Sequence, residues 1–196
     1  MDYEYAPIIL DGYKIVIGNT MKRRGLADSK YNERRSECDR ALSVLQKYID
    51  VTYLCDIDIE TFETYKHHIT LITERNRAEH AVYENARVKK AVSALHNNDL
   101  KEFGTLVNES HDSLRDLYDV TGVELDTMVS ESQKIEGVLG SRMIGAGFGG
   151  CTISLVPDSV VDYFIKEVGL KYEAKINLKP EFYVANIGDG ARKLEK

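Results

Sequence analysis

Residues 145 to 150, GAGFGG, place Gly145, Gly147 and Gly150 in the spacing G-x-G-x-x-G. In a dinucleotide-binding fold that spacing follows a strand, opens directly into a helix, and is answered by an acidic residue about 20 positions on. Here the flanks are SRMIG and CTISLVP, both apolar and extended in pattern, the second ending at Pro157. A glycine-rich link between two strands is a hairpin, so no helix N-terminus is offered to a pyrophosphate. His111, Asp112 and Ser113 contain the letters of a catalytic triad. Consecutive residues on a helix point about 100° apart, so these three do not converge on one atom. His67, His68, His80 and His96 lack the i, i+4 spacing with a third ligand that zinc needs, and are expected at the surface or at helix ends. The segment 21–35, MKRRGLADSKYNERR, carries six Lys and Arg. It reads first as a solvated loop and the first turns of a helix, balanced by Asp28, Glu33 and Glu37, and composition alone does not separate this from an electropositive rim facing an anionic ligand.

These residues must be placed by a chain of 196 residues with 43% hydrophobic and 30% charged positions, an ordinary globular balance for one domain. A net charge of −6 argues against nucleic acid as a partner, and no apolar run is long enough for a membrane span. The first 20 residues carry Asp2, Glu4 and Asp11 with no basic start, unlike a secretory signal. Cys38, Cys55 and Cys151 form neither a disulfide framework nor a zinc pattern, which suits a reduced cytoplasmic setting. Asp11-Gly12 between two apolar runs predicts a type I′ hairpin. Asp28 or Ser29 is expected to cap a helix through Tyr48. Helical spacing then predicts a short piece over Ile59–His67, a long helix over Thr73–Leu95, and further helices over Leu100–Tyr118, Glu124–Ile135 and Asp158–Glu173. The strand FYVAN and a Gly188-Asp189-Gly190 turn close the chain. Strands at both ends with helices grouped between them give an α+β fold, an antiparallel sheet with helices on one face.

Four blocks together resemble one family. NTMKRRGLADSKYNERRSECDRAL (19–42), SHDSLRDLYDVTGVELDTMV (110–129), GSRMIGAGFGGCTISLV (140–156) and KPEFYVANIGDGARKL are similar to the galactokinase branch of the GHMP small-molecule kinases, in family order. The resemblance implies a GHMP-type C-terminal domain over 1–196. Its parent enzyme would transfer the γ-phosphoryl of ATP to galactose, giving galactose 1-phosphate at the start of galactose breakdown, with Mg²⁺ accompanying ATP. It assigns Tyr31 to the sugar and Gly145, Gly147, Gly149 and Gly150 to a loop on the nucleotide side. It gives this chain no catalytic or metal-binding residue and no defensible catalytic role for Arg23, Arg24, Arg34 or Arg35. The phosphate loop and catalytic carboxylate of the family belong to an N-terminal half with no counterpart in this sequence. The 196 residues alone are therefore expected to bind no cofactor and to be inactive. A galactose-sensing relative and a kinase for a related hexose such as N-acetylgalactosamine share the same pattern.

Overall fold

The computed structural model describes residue 6, residues 8–23 and residues 27–188, with the backbone alone for 27–29. Four strands make one antiparallel sheet: β1 (Tyr13–Asn19), β2 (Gly140–Ile144), β3 (Cys151–Pro157) and β4 (Glu181–Ala185), in the order β2-β3-β1-β4. β1 is central, with Ile17 opposite Ile153 of β3 and Tyr183 of β4. That position overturns the predicted N-terminal hairpin. Both edges of β1 are taken by distant strands, so Ile8–Leu10 find no free edge and form no strand. The turn itself is present, with the Tyr13 N–H donating to the Leu10 carbonyl at 3.4 Å. Gly12 has φ +74° whereas Asp11 is not at positive φ, so the turn is not type I′, which needs both.

The helices are α1 (Ala27–Leu45), α2 (Ile59–Tyr65), α3 (Ile72–His96), α4 (Leu100–Ser113), α5 (Val123–Gln133) and α6 (Val161–Ile176). One sheet face offers Val16 and Val156, and α5 and α6 cover it with Met128, Phe164, Val168 and Tyr172. Ala41, Leu45, Phe62, Ile69, Ala78 and Val82 form a second core among α1, α2 and α3. The expected α+β architecture is therefore the one found.

Several helix boundaries differ from expectation: α2 ends at Tyr65, α5 at Gln133, and α6 runs from Val161 to Ile176 after a 3₁₀ turn over Asp158–Val160. α1 stops at Leu45, where i→i−3 bonds such as Tyr48 N–H to Leu45 O tighten the chain into turns. Asp28 and Ser29 lie inside its first turn, and their side chains fall outside the described residues. α4 widens after Ser113 into a π turn, Leu114–Tyr118, ended by Asp119 in the left-handed region at φ 54°, ψ 55°. Asp189 and Gly190 of the predicted last turn also lie outside the described residues.

α4 is fixed on the sheet by a glycine pair. A Cβ on Gly104 would lie 2.5 Å from the Leu139 carbonyl oxygen, and one on Gly140 2.3 Å from the Gly104 carbonyl oxygen. Two backbones touch here with no space for a methyl group. Gly104→Ala gains up to about 1 kcal/mol of helix propensity but meets rigid backbone, and such overpacking costs about 1–3 kcal/mol. The expected outcome is a net fall in thermal midpoint. A rise would mean that α4 can slide along β2.

Candidate functional site

The loop joining β2 to β3 is held from two sides. The Phe148 N–H donates to the Val120 carbonyl at 2.7 Å, and the Thr20 N–H and hydroxyl both donate to the Gly150 carbonyl, at 2.9 and 2.6 Å. Gly145, Gly147, Gly149 and Gly150 all have positive φ, between 81° and 114°, and Phe148 joins them at 57°. At Gly147 the requirement is strictest: it is buried, and a Cβ would stand 2.0 Å from the Val120 oxygen. The loop's close partner is thus this chain's own backbone. Gly145 and Ala146 at its tip are exposed.

Tyr31 sits on α1, more than a hundred residues from this loop in sequence, yet the two share one cavity. Its volume is about 140 Å³, and Tyr31, Arg34, Tyr118, Val120, Gly145 and Phe148 are among its walls. Tyr31 is 58% exposed, which excludes a packed core aromatic; its hydroxyl lies within reach of the Arg35 guanidinium and can both donate and accept. Behind it, burial pushes the Tyr118 hydroxyl up to about 12, with the neighbouring Cys38 thiol adding to the shift. Burial likewise raises the Cys38 thiol. Both stay protonated at neutral pH, so this wall provides hydrogen bonds and apolar contact, not a base or a thiolate nucleophile.

The basic segment divides. Lys22 pairs with Glu124 at 2.6 Å and Arg35 with Asp39 at 3.2 Å, while Arg34 is buried against Glu37 and Asp119. Burial pushes the Glu124 carboxyl upward, but the Lys22 bond, the Glu124 backbone N–H and the Lys22 charge together outweigh it and leave the carboxyl below the usual range. Most of the segment's charge is therefore neutralised internally. Arg23 is exposed with no acidic partner among the described residues, and Arg24 lies outside them.

His111, Asp112 and Ser113 diverge as the helix geometry requires. His111 is buried, accepting from the Met143 N–H at 3.3 Å through Nδ1. Its Nε2 lies 3.3 Å from Asp126 Oδ1, an ion-pair distance off the line of a hydrogen bond. Asp112 pairs with Arg115 at the surface, and Ser113 meets His80 Nδ1 at 2.8 Å. His80 corrects an expectation: it is buried in the middle of α3 and stacked on Tyr118, with ring centroids 4.5 Å apart. Its neighbours come from α4 and the π turn, so spacing along α3 gave no sign of its burial. Among the described residues no three His, Cys, Asp or Glu side chains converge, so none is assigned to Mg²⁺. No described helix is long and apolar enough to cross a membrane.

Residues 91–172, from the end of α3 through the glycine loop and into α6, match the family model "GHMP kinases C terminal". The chain carries a GHMP-kinase C-terminal domain. The chain is 56% identical over 194 residues to a galactokinase of Clostridium acetobutylicum, covering 99% of this chain and 50% of that one. It is 53% identical over 196 residues to a galactokinase of Fusobacterium nucleatum, again spanning 50% of it. The chain thus spans about half the length of these curated relatives. Lactococcus lactis galactokinase, solved in complex with galactose, superposes with a TM-score of 0.94 at 48% identity over 98% of this chain and 50% of that one. L. major mevalonate kinase, at 18% identity and a TM-score of 0.56, shares the fold. Tyr31 precedes the matched residues 91–172, so the GHMP domain model spans the loop but not the tyrosine.

Proposed function

We propose that this chain is the C-terminal half of an ATP-dependent galactose kinase of the cytoplasm, with 1–196 acting as one domain. The observation that supports it is the single cavity shared by Tyr31 and the glycine loop, in a chain whose curated relatives are galactokinases. In this reading the sugar lies against Tyr31. The ring covers an apolar sugar face, and the hydroxyl exchanges a hydrogen bond with a sugar hydroxyl. The loop Gly145–Gly150 forms the nucleotide side, its exposed tip at Gly145 and Ala146 turned to the phosphates of ATP. Arg23, exposed beside Lys22, adds positive charge to that side. Mg²⁺ comes with ATP and neutralises phosphate charge, and its ligands are not assigned among the described residues. The cavity wall contributes binding and orientation, which is most of what phosphoryl transfer asks of a protein. Deprotonation of the sugar hydroxyl and capture of the phosphates fall to the other half.

Tyr31→Phe in a polypeptide carrying both halves tests this reading. The ring and its packing remain and one neutral hydrogen bond is lost, worth ~0.5–1.5 kcal/mol. KM for galactose is expected to rise from a few-fold to roughly tenfold, with KM for ATP little changed. A hydroxyl that binds only in the transition state would lower kcat by the same factor instead. Because Tyr31 is exposed, the thermal midpoint should hardly move. Unchanged galactose kinetics would remove Tyr31 from the sugar site.

A further inference from the structure

Beneath the cavity, two arginines, a glutamate and an aspartate from three elements meet. Tyr31, Arg34 and Glu37 follow one another at intervals of three along one flank of α1. Glu37 Oε2 accepts from Arg34 Nη1 at 3.1 Å and from Arg77 Nε, on α3, at 2.9 Å. Arg34 Nη2 also donates to Asp119, to Oδ2 at 2.8 Å and to the carbonyl at 3.2 Å. Arg77 donates to the Leu117 carbonyl through Nη1, and its Nη2 lies 3.5 Å from Asp119 Oδ2. Arg34, Glu37 and Arg77 are all buried. Burial works to raise the Glu37 carboxyl, but the bonds from Arg77 and then Arg34 outweigh it and hold it below the ordinary carboxylate range. An anion therefore persists between two guanidinium groups at neutral pH.

What the quartet holds is the turn that carries the glycine loop. Asp119 closes the π turn in the left-handed region, and the next residue, Val120, gives its carbonyl to the Phe148 N–H. Arg77 grips this turn at Leu117 and Asp119, and through Glu37 it grips the helix that bears Tyr31. It lines no part of the cavity. We propose that Arg77 is a positioning residue: through Glu37 and Asp119 it fixes where Tyr31 and the glycine loop stand relative to each other, and so sets turnover without touching substrate. The turnover part rests on the galactose-kinase reading above. The positional part does not.

The test uses three variants. Arg77→Lys keeps the charge and loses the planar fork that spans Glu37, Leu117 and Asp119. Asp119→Asn removes a charge while keeping a residue that tolerates the left-handed conformation. Phe62→Leu loosens the distant α1–α3 core and controls for general destabilisation. Amide resonances of Gly145–Gly150 and Tyr31, followed by ¹⁵N NMR in this chain, are expected to shift in Arg77→Lys and Asp119→Asn and to stay in place in Phe62→Leu. In a polypeptide carrying both halves, kcat per folded enzyme should fall about tenfold to a hundredfold in Arg77→Lys, less in Asp119→Asn, and remain at the wild-type level in Phe62→Leu. Loop resonances unmoved in both charge variants, or an unchanged kcat per folded enzyme, overturn the proposal. Should Arg77→Lys not fold, Asp119→Asn decides alone, since the Asp119 side chain is 70% exposed. Shifted loop resonances together with a wild-type polypeptide that phosphorylates no galactose would overturn the function and leave the positioning intact.

Discussion

Gly147→Val is expected to destabilise the fold before it affects any chemistry. The sequence alone suggests the opposite order, because a glycine loop at a kinase site invites a reading in terms of turnover. The structure reverses it. Gly147 is buried with φ +81°, and a Cβ there would stand 2.0 Å from the Val120 carbonyl oxygen. That oxygen already accepts the Phe148 N–H at 2.7 Å, so it cannot retreat without breaking the contact that holds the loop. Forcing an L-residue into the left-handed region costs roughly 1–2 kcal/mol, and overpacking against backbone about 1–3 kcal/mol more. For a chain of this size the sum corresponds to a fall in thermal midpoint of roughly 5–20 °C. Ala146→Val, at the exposed tip of the same loop, should leave the midpoint within a few degrees. A Gly147→Val protein that melts like the wild type would show that the loop is not pinned to Val120.

What could be read from the sequence was whatever is local in period. The spacing of apolar residues located all six α-helices among the described residues and the β2–β3 hairpin, because the periods of 3.6 and 2 are imposed within a few residues. The glycine loop was legible for the same reason: a run of glycines between two strand patterns needs no distant partner to be recognised. The N-terminal hairpin was misjudged because the partners of β1 lie more than a hundred residues away at β3 and β4, and a turn motif is silent about them. Arg34 shows the same limit. Glu37, three residues on, hinted at a partner, but burial of the pair depends on Arg77 and Asp119, 40 and 82 residues beyond Glu37. Tyr31 and the loop were linked only by family resemblance until the fold put them in one cavity.

His80 should make this chain sensitive to mild acid. Its ring is buried between Tyr118 and Ser113, and burial pushes its pKa down to about 4, with Arg87, Arg142 and Arg77 acting in the same direction and Glu84 opposing. The folded protein thus keeps His80 neutral, whereas the unfolded chain protonates it near 6.5. The unfolded state binds more protons below that value, so stability is fully present above pH 6.5 and declines as the pH falls towards 4. At 1.36 kcal/mol per unit, the loss by pH 5 is about 2 kcal/mol. Depressed carboxylates such as Glu37 stabilise the fold throughout this range, and that contribution is lost only as the pH falls below the ordinary carboxylate value, where the unfolded chain takes up its proton first. The window from 7 to 5 therefore reports on histidines; His68 is also lowered, by burial and by His67 beside it, so the comparison with a His80 variant is what singles out His80. His80→Gln retains an amide able to bond Ser113 and removes the titration, so it should be less stable at pH 7 and noticeably flatter between pH 7 and 5. Urea midpoints measured across that range give the comparison directly. Parallel curves for the two proteins would mean that the buried imidazole takes up its proton in the folded state as readily as in the unfolded one, with Tyr118 and Ser113 yielding to make room for the charge.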